Sequence, residues 1–249
     1  SGKTCPVVST IQNTVPTVSA SGTYYIPFKT PFQLTGSASD EENDPLTYSW
    51  EEVDAGPSGS PKTPSGNAPT FRSLPPTTSP KRIFPKFRGN LIGEVLPTYA
   101  RTMKFRLTVR DNHPGGGAIA HNTTPVTVNV INSVNPFKVI YYVDSTRTWL
   151  GGSKDTITWD VASTDKAPIN CTHVNILLST DGGFNYPIVI ASNVPNTGAA
   201  EIKMPNVATA SGRIKIEAVG NVFFNYSPVN FTVIKTEEEP DTTQSTVSI

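Results

Sequence analysis

Apolar and polar residues alternate with period two along Met103-Lys104-Phe105-Arg106-Leu107-Thr108-Val109-Arg110. That spacing puts the apolar side chains on one face of a strand and the polar ones on the other. Pro125-Val126-Thr127-Val128-Asn129-Val130 repeats the pattern, and both stretches fit sheet edges facing a sandwich core. Shorter strands are predicted at Tyr24 to Phe28, Phe32 to Gly36 and Leu46 to Glu52, with Trp50 as the core aromatic. Asn135-Pro136 marks a joint, after which strands are predicted at Phe137 to Ile140, Thr156 to Val161, Val174 to Ser179 and Ile188 to Ala191. They continue at Glu201 to Met204, Arg213 to Val219 and Val229 to Ile234, a spacing that suits a seven-strand sandwich with Trp159 in its core.

The alternation fails from Val53 to about Ala100, a stretch with nine prolines. A loop of that length is a functional excursion or partly disordered. The expected organisation is all-β, two tandem Ig-like β-sandwich domains. Residues 1–13 read as a lead-in from an upstream domain and residues 14–134 as a first sandwich carrying the Pro-rich loop 53–100. Residues 135–235 read as a second sandwich and 236–249 as an acidic linker or tail.

Composition supports this picture: 23 Pro and 18 Gly in 249 residues mark strands punctuated by turns, and long helices are not expected. The formal net charge is zero, so nothing global favours nucleic acid or an anionic membrane. No apolar run approaches about 18 residues, which excludes a spanning helix. With no starting Met and no signal-type segment, the sequence reads as an excised or processed fragment.

Catalytic chemistry finds little to work with. His113, His121 and His173 are the only histidines and none begins a His-Glu-x-x-His segment, so no zinc site is expected. Neither a Gly-x-Ser-x-Gly elbow nor a phosphate-binding Gly-x-x-x-x-Gly-Lys loop occurs. A Ser-His-Asp triad needs no neighbours in sequence, but three histidines leave it little room. The chain is therefore expected to be non-catalytic by itself. Cys5 and Cys171 lie on opposite sides of the joint, and Cys171 is either a disulfide partner of Cys5 or a buried thiol.

Two stretches carry binding chemistry. In Asp40-Glu41-Glu42-Asn43-Asp44 the acids at alternate positions can converge on one hard cation, and an Ig-like topology brings the turn at Asp111-Asn112 to the same end. Asp40, Glu42, Asp44 and Asp111 are thus a candidate calcium set, against the plain alternative of a solvated acidic turn. Within the long loop no acid occurs between Ala55 and Gly93, while Lys62, Arg72, Lys81, Arg82, Lys86 and Arg88 interleave with Phe71, Phe84 and Phe87. Lys81, Arg82, Phe84 and Phe87 could grip an anionic polymer. Alternatively, the phenylalanines anchor the loop onto the sandwich and the charges stay in water. Ser179-Thr180-Asp181-Gly182-Gly183-Phe184-Asn185-Tyr186 is a hairpin signal that resembles the Asp-box of sialidase-type propellers; a single copy does not make a propeller.

The runs Pro31-Phe32-Gln33-Leu34-Thr35-Gly36-Ser37-Ala38-Ser39-Asp40, Leu46-Thr47-Tyr48-Ser49-Trp50-Glu51 and Phe71-Arg72-Ser73-Leu74-Pro75-Pro76 carry a family likeness, as does Phe105 to Asn112. Together they resemble the region that follows the catalytic domain in secreted reprolysin-like zinc metalloproteases of Bacteroidetes-type bacteria. Thr158-Trp159-Asp160-Val161, Ala167 to Cys171, Ile176 to Gly183 and Val219 to Phe224 are similar to the Ig-like module that comes next there. The first module also resembles polycystic-kidney-disease-like and cadherin-like repeats, whose Asp-x-Asp-Gly-Asp loop can hold calcium; here Glu42 departs from it.

The resemblance implies an exported, extracellular or cell-surface region without catalytic residues, partnered by an upstream protease domain in the same polypeptide. In that family a type IX secretion domain often closes the chain. Asp144-Ser145-Thr146, Asp155-Thr156-Ile157 and Asp241-Thr242-Thr243 resemble O-glycan sites of such bacteria. The first expectation is a spacer, stabiliser or docking region. The second is an adhesion module for a polysaccharide or a surface protein, monomeric, with no nucleic-acid partner.

Overall fold

The computed structural model describes residues 11–87, 91–140 and 147–237, in which every regular element is a strand. They form two compact units. The first takes the described part of residues 1–137 together with Ala162–Cys171 and Gly220–Phe224; the second takes the remainder.

The strands of the first unit are β1 (Thr17–Ser19), β2 (Thr23–Pro27), β3 (Phe32–Thr35), β4 (Ser37–Ser39), β5 (Thr47–Glu52), β6 (Lys81–Phe84), β7 (Arg101–Arg110), β8 (Ile119–His121) and β9 (Val126–Ile131). One sheet runs β2-β9-β7-β5, with β8 also on β7, and the opposing layer is made of the ladders β1-β4 and β3-β6. This is Ig-type strand order: A-B-E against C-F-G, with β2 closing the larger sheet by pairing parallel to β9. Strands β7 and β9 therefore lie inside the sheet rather than at its edges, because β2 and β5 flank them.

The alternation of β7 sends Met103, Phe105, Leu107 and Val109 into the core, all fully buried. Phe105 meets Phe32 and Phe84 from the opposite layer at ring-centroid distances of 5.6 and 4.8 Å, and Phe71 joins Phe84 at 5.1 Å. Aromatic pairs at such distances add about 0.5–1.5 kcal/mol each beyond their buried area. Trp50 is buried beside them and donates its indole N–H to the Pro80 carbonyl at 3.0 Å. Gly36, between β3 and β4, has no room for a side chain: a Cβ would stand 2.3 Å from Leu107 Cδ2.

The stretch 53–100 is not one open loop. It contains β6, which pairs with β3 from Phe32↔Phe84 to Thr35↔Lys81. Period two is invisible in Lys81-Arg82-Ile83-Phe84 because Arg82 and Ile83 are both only half-buried, and Arg82 is held by an ion pair rather than by water. The chain before β6 lies along β5, with Tyr48 and Thr77 exchanging backbone hydrogen bonds at 2.7 and 3.0 Å. An edge strand is thereby covered that would otherwise offer its backbone to another chain.

Glu52 fastens this arrangement. One carboxylate oxygen accepts from the backbone N–H groups of Thr70 and Phe71 at 2.7 and 2.9 Å, and the other meets Arg101 at 3.2 Å. Both side chains of the pair are essentially inaccessible, and Arg101 also donates to the Ala68 carbonyl. Burial pushes the Glu52 carboxyl above its ordinary value, against the two amides and Arg101.

The remaining strands, which apart from Phe224 fall in the second unit, are β10 (Lys138–Val139), β11 (Thr148–Leu150), β12 (Lys154–Asp160), β13 (His173–Ser179), β14 (Ile188–Pro195), β15 (Ala199–Lys203), β16 (Thr209–Ala218), β17 (Phe224–Tyr226) and β18 (Phe231–Ile234). Sheet β10-β12-β15 is accompanied by β11-β18-β16-β13-β14, with β17 beside β16 and β11 parallel to β18. The Ig-type order thus recurs. Trp159 is buried with its indole N–H on Asn196 Oδ1 at 2.8 Å, and Trp149 packs on Phe231 at 4.6 Å. Cys171 is buried; Cys5 lies outside the described residues, and with it the question of their pairing.

Replacing Glu52 with Ala strands the buried Arg101 guanidinium and frees two amides. Chemical denaturation of E52A is expected to show a loss of about 3–5 kcal/mol, whereas an unchanged midpoint would remove Glu52 from its central place.

Candidate functional site

The acidic loop follows β4 and turns sharply at Asn43, whose φ of 63° is left-handed. Asn and Asp adopt that conformation more readily than other side chains. Asp44 N–H donates to Asp40 Oδ1 at 2.9 Å, closing the turn. Carboxylate oxygens of Asp40, Glu42 and Asp44 then lie within 4.8 Å of one another. Among the described residues no donor reaches the buried Asp40 Oδ2, and the same holds for Asn13 Oδ1.

Residues outside the acidic run complete this end of the sandwich. The Thr14 hydroxyl and amide donate to Glu42 Oε1, and mainly the hydroxyl holds the Glu42 carboxyl below its usual range. His113 Nδ1 lies 2.6 Å from Asp44 Oδ2, a hydrogen bond that raises the imidazole pKa. Asn112 donates to the Pro45 carbonyl at 2.6 Å, so the turn after β7 does come to the same end as the acidic loop.

Asp111, however, does not join the three carboxylates. Its Oδ1 accepts from the backbone N–H groups of Ala118 and His113 at 2.8 and 3.2 Å, and its Oδ2 accepts from Asn13 Nδ2 at 2.9 Å. Burial works to raise its pKa, but these donors outweigh it and the carboxyl sits below its ordinary value. Asp111 is the clasp of its own loop. His113 was the group overlooked in sequence, although its place two residues after Asp111 and its ability to ion-pair were visible. Asn13, assigned from sequence to a lead-in, instead bonds Asp111 and the Gly116 carbonyl.

The basic, aromatic stretch divides. Phe84 is fully buried in the core, and Arg82 lies over its ring at 4.4 Å. Arg82 also pairs with Glu94 at 2.7 Å and donates to the Trp50 and Arg72 carbonyls. Glu94 Oε2 accepts from the Lys86 amide. Arg82 and Phe84 therefore face inward, because Glu94, one residue past the acid-free run, supplies the missing counter-charge. Lys81 is exposed and Phe87 half-buried, while Arg88 lies outside the described residues. The four residues do not form one outward-facing surface.

In the second unit the hairpin between β13 and β14 is organised by Asp181. Its Oδ1 accepts from the Ser179 hydroxyl at 2.7 Å and from the Phe184 and Asn185 amides at 3.0 Å; its Oδ2 accepts from Asn185 Nδ2 at 2.8 Å. The Asn185 amide leads the donors that pull the Asp181 carboxyl down to about 2. Phe184 is left 64% exposed at the tip.

No family model matches the chain, and no curated protein matches it. Among solved structures it is similar to tandem Ig repeats of Dlar, at 16% identity and a TM-score of 0.41, over 89% of this chain and 98% of that one. It is also similar to fibronectin(III)-like modules of Clostridium thermocellum CbhA, at 13% identity and a TM-score of 0.28, over 89% and 94% of the two chains. Neither likeness carries weight at such scores. The Ig-type assignment stands on strand order.

Because the folded-state pKa of Asp181 is depressed, its contribution to stability is fully present above the ordinary value of 3.8 and is lost as pH falls towards about 2. Denaturation of wild type between pH 5 and 2 is expected to show this loss, with a shallower slope for D181N; parallel slopes would contradict the bracketing role of the carboxylate.

Proposed function

We propose that this chain is a non-catalytic extracellular region of a larger protein, two Ig-like sandwiches that space, stabilise or dock a neighbouring domain. The observation that carries this reading is the strand order: each unit completes an A-B-E layer and a C-F-G layer closed by a parallel early strand. The buried ion pairs Glu52–Arg101 and Arg82–Glu94, and the Asp181 carboxylate in its hairpin, hold loops in place. The sequence likeness to the region downstream of secreted reprolysin-like zinc metalloproteases makes a protease the proposed neighbour. Peptide mass mapping of the native protein, captured with an antibody to this chain, tests that. Upstream peptides running through a His-Glu-x-x-His segment are the expected result, and a mature protein lacking any such segment would sink the protease assignment.

The acidic loop adds a proposed cofactor. Three mutually close carboxylates and the buried, donorless oxygen of Asp40 suit a hard cation with oxygen ligands, and Asp40, Glu42 and Asp44 are the residues that would hold calcium. Calcium would supply positive charge where three acids now repel one another, stiffening the end of the first sandwich. Asp111 is not among the proposed ligands. A ligand that binds only the folded state, present at about 100 times its Kd, adds about 2.7 kcal/mol. Melting with calcium is expected to exceed melting with chelator, and D40N should erase the difference. Identical melts of wild type in the two buffers would leave the solvated acidic turn as the correct description.

A further inference from the structure

The long central strand β7 has a second face that the core does not use. Its exposed outward residues include Lys104 and Arg106, and side chains on one face of a strand follow each other at about 6.8 Å. Lys104 is exposed and, among the described residues, lies within ion-pairing distance of no carboxylate. Arg110 lies beyond the buried Thr108 and has its Nη1 buried, so it is not presented on this face as Lys104 is. The Arg106 side chain is 44% exposed and reaches Glu51 only at 3.8 Å. Glu51 is already engaged by the hydroxyls of Ser73 and Thr108 at 2.9 and 3.3 Å. The other acid nearby, Asp54, accepts the backbone N–H of Lys104 at 2.7 Å and so is tied to the strand end.

The surroundings towards β9 and β2 are polar and uncharged. In register with Lys104 stands Thr127 on β9, then Thr23 on β2; one pair further along, Asn129 is followed by Tyr25, which is 37% exposed. The sheet face thus offers two neighbouring under-compensated cations beside hydroxyls, an amide and an aromatic ring. A compact apolar partner gains nothing from it. A linear chain carrying one negative group per repeat does, since its charges can meet successive cations while its hydroxyls find Thr and Asn and a ring face meets Tyr25.

We propose that the outer face of the β2-β9-β7-β5 sheet binds a linear acidic polysaccharide laid along β7, its carboxylate or sulfate groups held by Lys104 and Arg106. This site is distinct from the Arg82 and Phe84 stretch and stands whether or not a protease is the neighbouring domain.

The test is binding of the full chain to polygalacturonate and to dextran sulfate at low and moderate salt, with neutral dextran as the uncharged probe. Retention by one or both acidic polymers and none by dextran is expected, weakening as salt rises. The pair K104A/R106A should weaken binding by about tenfold or more, because two charges at the contact are lost. The pair K62A/K81A removes the same net charge from exposed positions elsewhere and should change it by less than about twofold. Equal weakening by the two pairs would reduce the effect to net charge and overturn the proposal, as would wild-type indifference to both acidic polymers at low salt. Both pairs are solvent-facing, so unchanged melting temperatures separate lost contacts from lost folding.

Discussion

The first sandwich hangs on a carboxylate kept out of water. Glu52 ends β5, a strand whose free edge and buried surroundings both need cover, and it obtains that cover by gathering the amides of Thr70 and Phe71 onto one oxygen and Arg101 onto the other. An isolated charge in that position would be strongly unfavourable, so the segment must fold back to satisfy it. Once Thr70 and Phe71 are fixed, Phe71 enters the aromatic core and the backbone next to it pairs with Gly93 and Val95. Arg82 and Glu94 repeat the device a few residues on. Two buried ion pairs thereby convert a Pro-rich excursion into a strand and an edge cover.

The legible parts of this fold were those where one face is wet and the other dry. Strands such as β7 and β13 announce themselves because alternate residues meet water. β6 does not, because Arg82 is half-buried by virtue of an acid twelve residues away, a partnership that local periodicity cannot express. The three-residue strands β1, β4 and β8 are too short for any period to register. The interior place of β7 and β9 is likewise a matter of pairing with distant strands, not of their own pattern.

The acidic end shows the same division. Asp40, Glu42 and Asp44 alternate along one short loop, so their convergence follows from local geometry. Asp111 was brought to the correct end by topology, but its orientation depends on which donors lie nearest. The amides of His113 and Ala118 claimed it. A carboxylate in a tight turn has two competing uses, holding a cation or tying down its own backbone, and sequence alone does not distinguish them.

Parallel closure of each larger sheet has a mechanical meaning. The chain enters the larger sheet along β2 and leaves it along β9, which run the same way, so tension between these two strands slides one past the other and strains their hydrogen bonds together instead of one at a time. Five register pairs join β2 to β9, and three join β11 to β18. Among the described residues, fewer pairs thus share a pulling load across the parallel ladder of the second sandwich than across that of the first.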